Sequence, residues 1–369
     1  MIFKKILVNL LKNRQKNANI SEIKQKIKNT KSILLRPLGS GAIGDAVVHT
    51  AHLLQIRKIY PQAKLGVIVS NTNKLIFKRS NLCDELIEES IFSYIKNSNK
   101  WDIMLDFGGN FTSYSIMQTH LLNPKIVIIF NKLNKKFYNL KNINDYDINA
   151  NIPLGTPLSH YLNHSILGEI FNLPSPQSTL LIDKKLITKV TNFWQKDSIK
   201  ILLCPQGSKR EIPASEISNL LNQTCNTKNE WKVSQNVCFL LSNTTGSEVY
   251  FSKILTHNKN LKLAPKVNLD EFLSLVDSAD IVIAVDGAAL HIACALKKPL
   301  LSFFADNYPN KGTWKPLIAK NIPSLCILTS DKKENSNDTS NFDMQNAARW
   351  LSAEILKFTN YAQDYNDDK

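Results

Sequence analysis

The sequence lacks several features that would place it in a familiar class. No apolar run approaches the ~20 residues that a membrane-spanning helix requires, and no small-residue cleavage site follows the apolar N-terminus. We therefore expect a cytoplasmic protein rather than an integral or secreted one. The six cysteines never occur as Cys-x-x-Cys, and several lie inside apolar runs, which favours reduced buried thiols over disulfides or a metal site.

Acidic residues are also scarce, because 31 Asp and Glu oppose 46 Lys and Arg and leave a formal net charge of +15. Such a balance first suggests nucleic acid as the partner, but the lysines form no basic motif interleaved with aromatics. The basic excess is densest at the start, where nine basic residues and the single acid Glu22 accompany apolar residues at helical spacing. This pattern is typical of a helix on an anionic membrane surface, and the alternative is a docked or solvated helix.

Strand and helix patterns alternate along the chain, which predicts α/β domains with parallel sheets. Four segments follow: a basic extension (1–30), two Rossmann-like domains (31–175 and 176–342) separated near Pro174–Pro176, and a C-terminal helix with an acidic tail (343–369). Residues 131–157 show no clear periodicity and predict a long surface excursion. The predicted strands are 33–36, 64–69, 85–88, 103–107, 126–129, 199–204, 238–241, 261–263, 281–285 and 300–303, and the main helices 46–60, 71–78, 160–171, 184–194, 270–279 and 344–358.

One strand–turn–helix unit is especially informative. The buried strand 281–285 ends at Asp286-Gly287, and a helix follows. The uncovered N–H groups of Gly287, Ala288 and Ala289 at a helix N-terminus suit a phosphate. Asp286 would repel a phosphate and is better suited to accept hydrogen bonds from sugar hydroxyls. The turn therefore predicts a nucleotide sugar or a similar ligand.

A second unit of the same kind lies near the N-terminus. Gly39, Gly41 and Gly44 fall between the first strand and its helix, in a loop that predicts a close approach to a ligand. The spacing matches the dinucleotide fingerprint superficially. Asp45 would repel a pyrophosphate at the helix start, so we do not expect a nicotinamide cofactor.

Together the two turns resemble glycosyltransferase family 9, the ADP-heptose:lipopolysaccharide heptosyltransferases. Gly44-Asp45 matches the family's Gly-Asp pair, and Asp286, Gly287 and His291 stand in its pattern Asp-(Ser/Thr)-Gly-(x)-x-His-x-Ala-x-Ala-x-x-x-Pro. The chain departs from the pattern where Gly287-Ala288 replaces a hydroxyl residue plus glycine. Further matching residues are Ala293, Ala295, Pro299, Pro205–Arg210 and Phe303–Asp306.

The resemblance implies the GT-B fold, which is two Rossmann-like domains facing across a cleft. It implies an inverting, metal-independent enzyme without a cofactor that transfers heptose from ADP-heptose to the inner core of lipopolysaccharide or lipooligosaccharide. The acceptor would be an anionic glycolipid at the cytoplasmic face of the inner membrane, where the enzyme would be peripheral. The alternatives are a GT-B enzyme that uses another nucleotide sugar for a surface glycan, and a non-catalytic glycan- or nucleotide-binding relative.

The resemblance also implies roles for individual residues. Asp45 would be the general base, on an acceptor-side loop with Gly41 and Gly44, although an acid here can also be an N-cap. Lys209 or Arg210 could reach the diphosphate, or could be solvated loop charges.

His291 could donate to a phosphate or brace the loop, and it could also be a purely structural histidine. Glu248 could face the donor ribose or simply open a helix. Asp145-Tyr146-Asp147 has the spacing of a metal-binding Asp-x-Asp but lies in the irregular stretch, so we predict no metal site there.

Overall fold

The computed structural model describes residues 9–13, 19–39, 41–225, 237–256, 259–306, 310–330 and 339–367. The chain divides into two compact units, Met1–Leu181 and Ile182–Lys369. The division falls a few residues beyond the break expected at Pro174–Pro176. Across the described ranges, no helix is both long enough and apolar enough to span a membrane.

The first unit is built on a parallel sheet of strand order β3-β2-β1-β4-β5-β6. The chain winds outward from β1 in one direction and then returns to β4, on the other side of β1. The strand order therefore reverses between β1 and β4, and ligands of such sheets bind at the carboxyl ends of the two strands at the reversal. The elements are α1 (Ile20–Lys28), β1 (Ser32–Arg36), α2 (Ile43–Ile59), β2 (Lys64–Val69), α3 (Lys74–Ser80), β3 (Glu85–Glu88), α4 (Ile91–Lys96), β4 (Ile103–Asp106), α5 (Ser113–Leu122), β5 (Ile126–Phe130), β6 (Ile148–Ala150), a 3₁₀ helix (Leu158–His164) and α6 (Ile166–Ile170).

The second unit repeats this winding with the order β12-β11-β10-β7-β8-β9, so its reversal lies between β7 and β10. Strands β7 and β10 are paired in parallel along their length. Its elements are α7 (Lys184–Thr191), β7 (Ile199–Cys204), α8 (Ala214–Cys225), β8 (Val237–Leu241), α9 (Ser247–Ser252), β9 (Leu261–Leu263), α10 (Leu269–Ser278), β10 (Ile281–Val285), α11 (Ala288–Ala295), β11 (Leu300–Phe304), α12 (Asn310–Thr313), β12 (Ser324–Leu328) and α13 (Met344–Asp367).

The predicted parallel α/β architecture is confirmed, and the differences lie in detail. The stretch 131–157, expected to be irregular throughout, contributes strand β6, which pairs with the edge of the sheet through Ile128 and Ile148. Helix α2 begins at Ile43, before the predicted start at residue 46. The final helix continues to Asp367, so most of the predicted acidic tail is helical.

The described part of the N-terminal extension packs on the first unit. Ile23 and Ile27 of α1 are buried, and the hydroxyl of Tyr60 donates to the Ile27 carbonyl at 2.7 Å. Leu11 packs against the same unit's apolar core, and the Asn144 N–H donates to the Lys12 carbonyl at 2.7 Å. Residues 9–13 and 19–30 are therefore docked on the protein, residues 1–8 and 14–18 lie outside the described residues, and membrane contact by this segment stays a prediction.

Three charged side chains are buried together at the carboxyl edge of the first sheet. Arg36 ends β1 and forms a two-pronged ion pair with Asp106, which ends β4. The Lys132 ammonium lies 2.5 Å from Asp106 Oδ2 and donates to the Gly108 carbonyl. Burial raises the pKa of the Asp106 carboxyl, whereas the Arg36 guanidinium and the Lys132 ammonium lower it, and the net result is a pKa below its usual range. Burial lowers the pKa of Lys132 to about 8.

Asp106→Asn is expected to destabilise the protein strongly, because it leaves two cations buried without an anion. Removing one partner of a buried ion pair costs about 3–5 kcal/mol. The free energy of unfolding from urea denaturation measures the loss. The triple variant Arg36→Met/Asp106→Leu/Lys132→Met removes all three charges and should recover a large part of it. An Asp106→Asn protein as stable as the parent would contradict this account of the cluster.

Candidate functional site

The reversal point of the second sheet brings two turns into backbone contact. One turn follows β7 and contains Gly207, and the other follows β10 and contains Gly287. A Cβ atom at Gly207 would lie 3.2 Å from the Asp286 carbonyl oxygen, and one at Gly287 would lie 3.5 Å from the Gly207 Cα. Glycine at position 207 allows this approach, because a Cβ atom there would be crowded, and the absence of a side chain at both positions leaves the turn backbone open to a ligand. The motif predicted from residues 281–291 thus lies at the expected edge of the sheet.

Helix α11 begins at this turn. Gly287 is its N-cap residue and forms no side-chain cap. Ala288 and Ala289 occupy its first turn and are partly exposed. A helix start without a side-chain cap offers unpaired N–H groups and partial positive charge to an anion. The structure therefore has an uncapped helix start where the sequence predicts one, and phosphate binding there stays a prediction.

An ion pair links the two turns. Arg210 Nη1 lies 2.8 Å from Asp286 Oδ2, and the two side chains are 14% and 5% exposed. The guanidinium offsets the negative charge that Asp286 would otherwise present beside the helix start. Lys209, its neighbour, is exposed. Lys209 and Arg210, the two alternatives for a contact with the diphosphate, thus differ in the structure. Arg210 binds Asp286, whereas Lys209 projects to solvent.

A chain of polar side chains joins the β7 turn to α9. Ser247 Oγ donates to Gln206 Oε1 at 2.7 Å, and Gln206 Nε2 donates to Glu211 Oε2 at the same distance. Sequence reasoning missed both Gln206 and Ser247 as members of this edge, although Gln206 lies in the Pro-Gln-Gly motif. Glu248 follows Ser247 in the first turn of α9. It is exposed and lies 3.3 Å from Lys266, also exposed.

His291 lies one turn into α11 and is buried. Burial lowers its pKa to about 4, so the ring is neutral at pH 7. The ring meets Trp314 edge-on, with centroids 6.4 Å apart. This packing is compatible with a histidine that braces the loop and with a purely structural histidine, and donation to a phosphate stays a prediction.

Asp45 lies in the first turn of α2, close to the glycine loop. Gly39 has a left-handed backbone (φ +72°), and a Cβ atom there would lie 2.9 Å from Asp45 Oδ2. The N-cap of α2 is Ala42, without a side-chain cap, so the alternative of Asp45 as the N-cap is wrong. Gly41 faces Thr72 and Ser70 of the next strand–helix connection, and Gly44 lies in the same helical turn as Asp45. Asp45 itself is partly exposed.

The Asp145-Tyr146-Asp147 stretch has structural contacts. Asp147 Oδ2 accepts from the Val127 N–H at 2.8 Å, at the start of the pairing between β5 and β6. Asp145 is buried. Within the described ranges, no group of three or more His, Cys, Asp or Glu side chains is placed to hold a metal ion.

Comparisons with known proteins identify glycosyltransferases of one family. The family model described as glycosyltransferase family 9 (heptosyltransferase) matches residues 152–343, more than half of the chain. Lipopolysaccharide heptosyltransferase 1 of Campylobacter coli is 23% identical over 318 residues, which cover 80% of this chain and 91% of the relative.

Two solved structures share the fold. ADP-heptose lps heptosyltransferase II of E. coli superposes with a TM-score of 0.67 at 16% identity, covering 89% of this chain and 99% of the other. The glycosyl transferase family 9 protein of Veillonella parvula DSM 2008 superposes with a TM-score of 0.68 at 12% identity, covering 89% and 98%. The predicted GT-B class of α/β fold, with two Rossmann-like units, is confirmed by these likenesses.

Proposed function

The chain belongs to glycosyltransferase family 9, the heptosyltransferases, and from that premise we propose that it transfers heptose from ADP-heptose to the inner core of lipopolysaccharide or lipooligosaccharide. The transfer proceeds with inversion and without a metal ion. The observation that carries the proposal is the uncapped helix start at Gly287, held beside the Asp286–Arg210 pair where the strand order reverses.

The donor is an ADP-sugar whose diphosphate lies at the start of α11. Unpaired N–H groups stabilise the charge that grows on the leaving diphosphate, and exposed Lys209 adds a cation. Asp286 accepts hydrogen bonds from sugar hydroxyls, while Arg210 offsets its charge. The likeness to an ADP-heptose heptosyltransferase supports ADP-heptose as the donor.

Asp45 is the general base of the proposed reaction. Its carboxylate takes the proton from an acceptor hydroxyl as that oxygen bonds to the anomeric carbon of heptose. The bond from that carbon to the diphosphate oxygen breaks on the opposite face, and ADP leaves with the bonding pair. Because the acceptor oxygen attacks one face of the anomeric carbon while ADP leaves from the other, a single displacement inverts the anomeric configuration. The position of the carboxylate, partly exposed and against a glycine loop, suits an incoming hydroxyl.

The acceptor is an anionic glycolipid, in keeping with the net charge of +15. The likeness to lipopolysaccharide heptosyltransferase 1 supports a lipopolysaccharide acceptor. We further propose that the basic residues near the N-terminus hold the enzyme at the anionic cytoplasmic face of the inner membrane. Since α1 packs on the first unit, this role falls on lysines that precede it.

Asp45→Asn is expected to lower kcat by about 10²–10⁴-fold, the usual contribution of a general base. Donor binding should be unchanged, because the amide preserves shape and Asp45 lies in the other unit from the diphosphate turn. Transfer from ADP-heptose to a lipopolysaccharide acceptor gives kcat, and calorimetry gives the donor Kd. UDP-sugars run in parallel test the alternative donor class. Full activity in the variant would remove Asp45 from the mechanism.

Transfer is expected to survive EDTA. The proposed leaving-group site uses helix N–H groups and Lys209, none of which needs a divalent cation. Initial rates are compared before chelation, after it, and after Mg²⁺ or Mn²⁺ is returned. A rate that falls with EDTA and recovers with either ion would show that a metal stabilises the leaving group.

Lys4→Gln/Lys5→Gln/Lys12→Gln is expected to weaken binding to anionic phosphatidylglycerol vesicles, most clearly at low salt. Each basic residue near such a surface is worth about 1 kcal/mol, and salt screens it. The matched control, Lys184→Gln/Lys185→Gln/Lys196→Gln, removes the same charge from exposed positions of the second unit. Equal weakening by both triple variants would assign the binding to net charge rather than to the N-terminus.

A further inference from the structure

Helix α2 carries two histidines on the same face as Asp45. His49 and His52 follow Asp45 at spacings of four and seven residues, which place all three side chains along one stripe of the helix. Both rings are fully buried. Buried ionisable side chains that are neither exposed nor bound to a charged partner need an explanation, and the hydrogen bonds supply it.

The two rings form a continuous chain of hydrogen bonds between two backbone groups. The Leu38 N–H donates to His49 Nε2 at 2.8 Å. His49 Nδ1 lies 3.0 Å from His52 Nδ1. His52 Nε2 lies 3.0 Å from the Leu158 carbonyl oxygen, at the start of the 3₁₀ helix. The chain therefore runs from the glycine loop to a distant part of the same unit.

The backbone groups at the two ends determine where every proton lies. A backbone N–H can only donate, so His49 Nε2 accepts and the proton of that neutral ring is on Nδ1. A carbonyl can only accept, so His52 Nε2 carries the proton and His52 Nδ1 accepts from His49. A second proton on either ring would set two donors against each other. Only the doubly neutral pair satisfies all three hydrogen bonds.

The surroundings favour this neutral state. His52 stacks on Phe107 at 4.5 Å between centroids, and Phe107 stacks in turn on Phe130 at 4.2 Å. Burial lowers the pKa of His49 well below its usual value and that of His52 to about 4. His160 also disfavours a cation on His52. Neither ring is charged at pH 7.

The chain ends at the residue next to the one that Asp45 contacts. Leu38, bound by His49, directly precedes Gly39, where an added Cβ atom would lie 2.9 Å from Asp45 Oδ2. Two side chains of one helix, one turn apart, thus lie against adjacent residues of the loop. A shift of Leu38 away from His49 would move Gly39 and change the space open to the Asp45 carboxylate.

We propose that His49 and His52 are positioning residues, whose ordered hydrogen bonds fix the glycine loop against Asp45 so that its carboxylate faces the acceptor hydroxyl. This inference rests on the proposed role of Asp45 as the base. Neither histidine touches a substrate. Replacing them should therefore lower kcat, because the glycine loop and the Asp45 carboxylate would shift.

Two replacements of His49 separate positioning from packing. His49→Phe keeps an aromatic ring against Phe107 but cannot accept from the Leu38 N–H. His49→Gln loses the ring but keeps an acceptor at the end of the side chain. Positioning predicts that Phe lowers kcat by about 10–100-fold, the range for a small misplacement, and that Gln is at least about tenfold more active than Phe. Donor Kd should be unchanged in both. A packing role predicts the reverse order, and that order would overturn the proposal.

The control for loss of stability is Thr50→Val, on the same helix and equally buried, where Thr50 Oγ1 accepts from the Thr179 N–H. It should lower Tm without lowering kcat. A kcat loss in Thr50→Val as large as in His49→Phe would assign both to general destabilisation and overturn the inference.

Asp45→Asn, assayed beside them, separates the two proposals. If Asp45→Asn is inactive and His49→Phe is fully active, only the positioning role of the histidines is wrong. An active Asp45→Asn would show that Asp45 is not the base.

The tautomers of the two rings can also be measured directly in the wild-type protein. Nitrogen-15 NMR with labelled histidine distinguishes a protonated ring nitrogen from a bare one. We expect His49 to carry its proton on Nδ1 and His52 on Nε2, with neither ring protonated between pH 6 and 8. Resonances are assigned by their loss in His49→Gln and His52→Gln. A proton on His49 Nε2 would contradict the proposed chain of hydrogen bonds.

Discussion

The reversal of strand order in each sheet is the constraint on which the site depends. Strands β1 and β4 are neighbours, and so are β7 and β10. In each pair, the connections that follow the two strands run toward opposite edges of the sheet. The ends of those strands are therefore uncovered, and chain that follows them can meet a ligand. Both glycine turns singled out in the sequence follow such strands. This winding positions the proposed base Asp45 in the first unit and the proposed donor-binding turn at Asp286 in the second.

The two units support their edges with different interactions. In the first, Asp106 joins Arg36 and Lys132 in a buried cluster that ties β1, β4 and the chain after β5 together. In the second, backbone contact between Gly207 and Gly287 and the Arg210–Asp286 pair do the equivalent work. Buried ions depend on complete pairing, whereas glycine contact depends on the absence of a side chain. The first edge is therefore sensitive to charge and the second to volume.

The sequence predicted what is local and missed what is distant. Buried runs and the glycines after them placed β1, β7 and β10 and the turns that follow, because these signals lie within a few residues. Strand β6 was missed because its pairing with β5 crosses a stretch without periodicity. The sequence also could not predict that Arg36 binds Asp106 or that His52 binds the Leu158 carbonyl, since these partners are far away in sequence. The boundary of α2 mattered most, because a start at Ile43 rather than residue 46 moved Asp45 from a possible cap into the first turn.

The contact between Gly207 and Gly287 has a consequence for the thermodynamics of ligand binding. The turns lie so close that a Cβ atom added at Gly207 would be 3.2 Å from the Asp286 carbonyl oxygen, so each turn limits the conformations of the other. A diphosphate bound at the start of α11, as proposed, would meet N–H groups that are already ordered, and little conformational entropy would be lost on binding. Lys209 differs, because an exposed, long side chain must lose rotamer freedom to reach the same anion. If the donor binds here as proposed, the preorganised backbone would supply most of the affinity, and the flexible lysine would supply the part that salt most readily weakens.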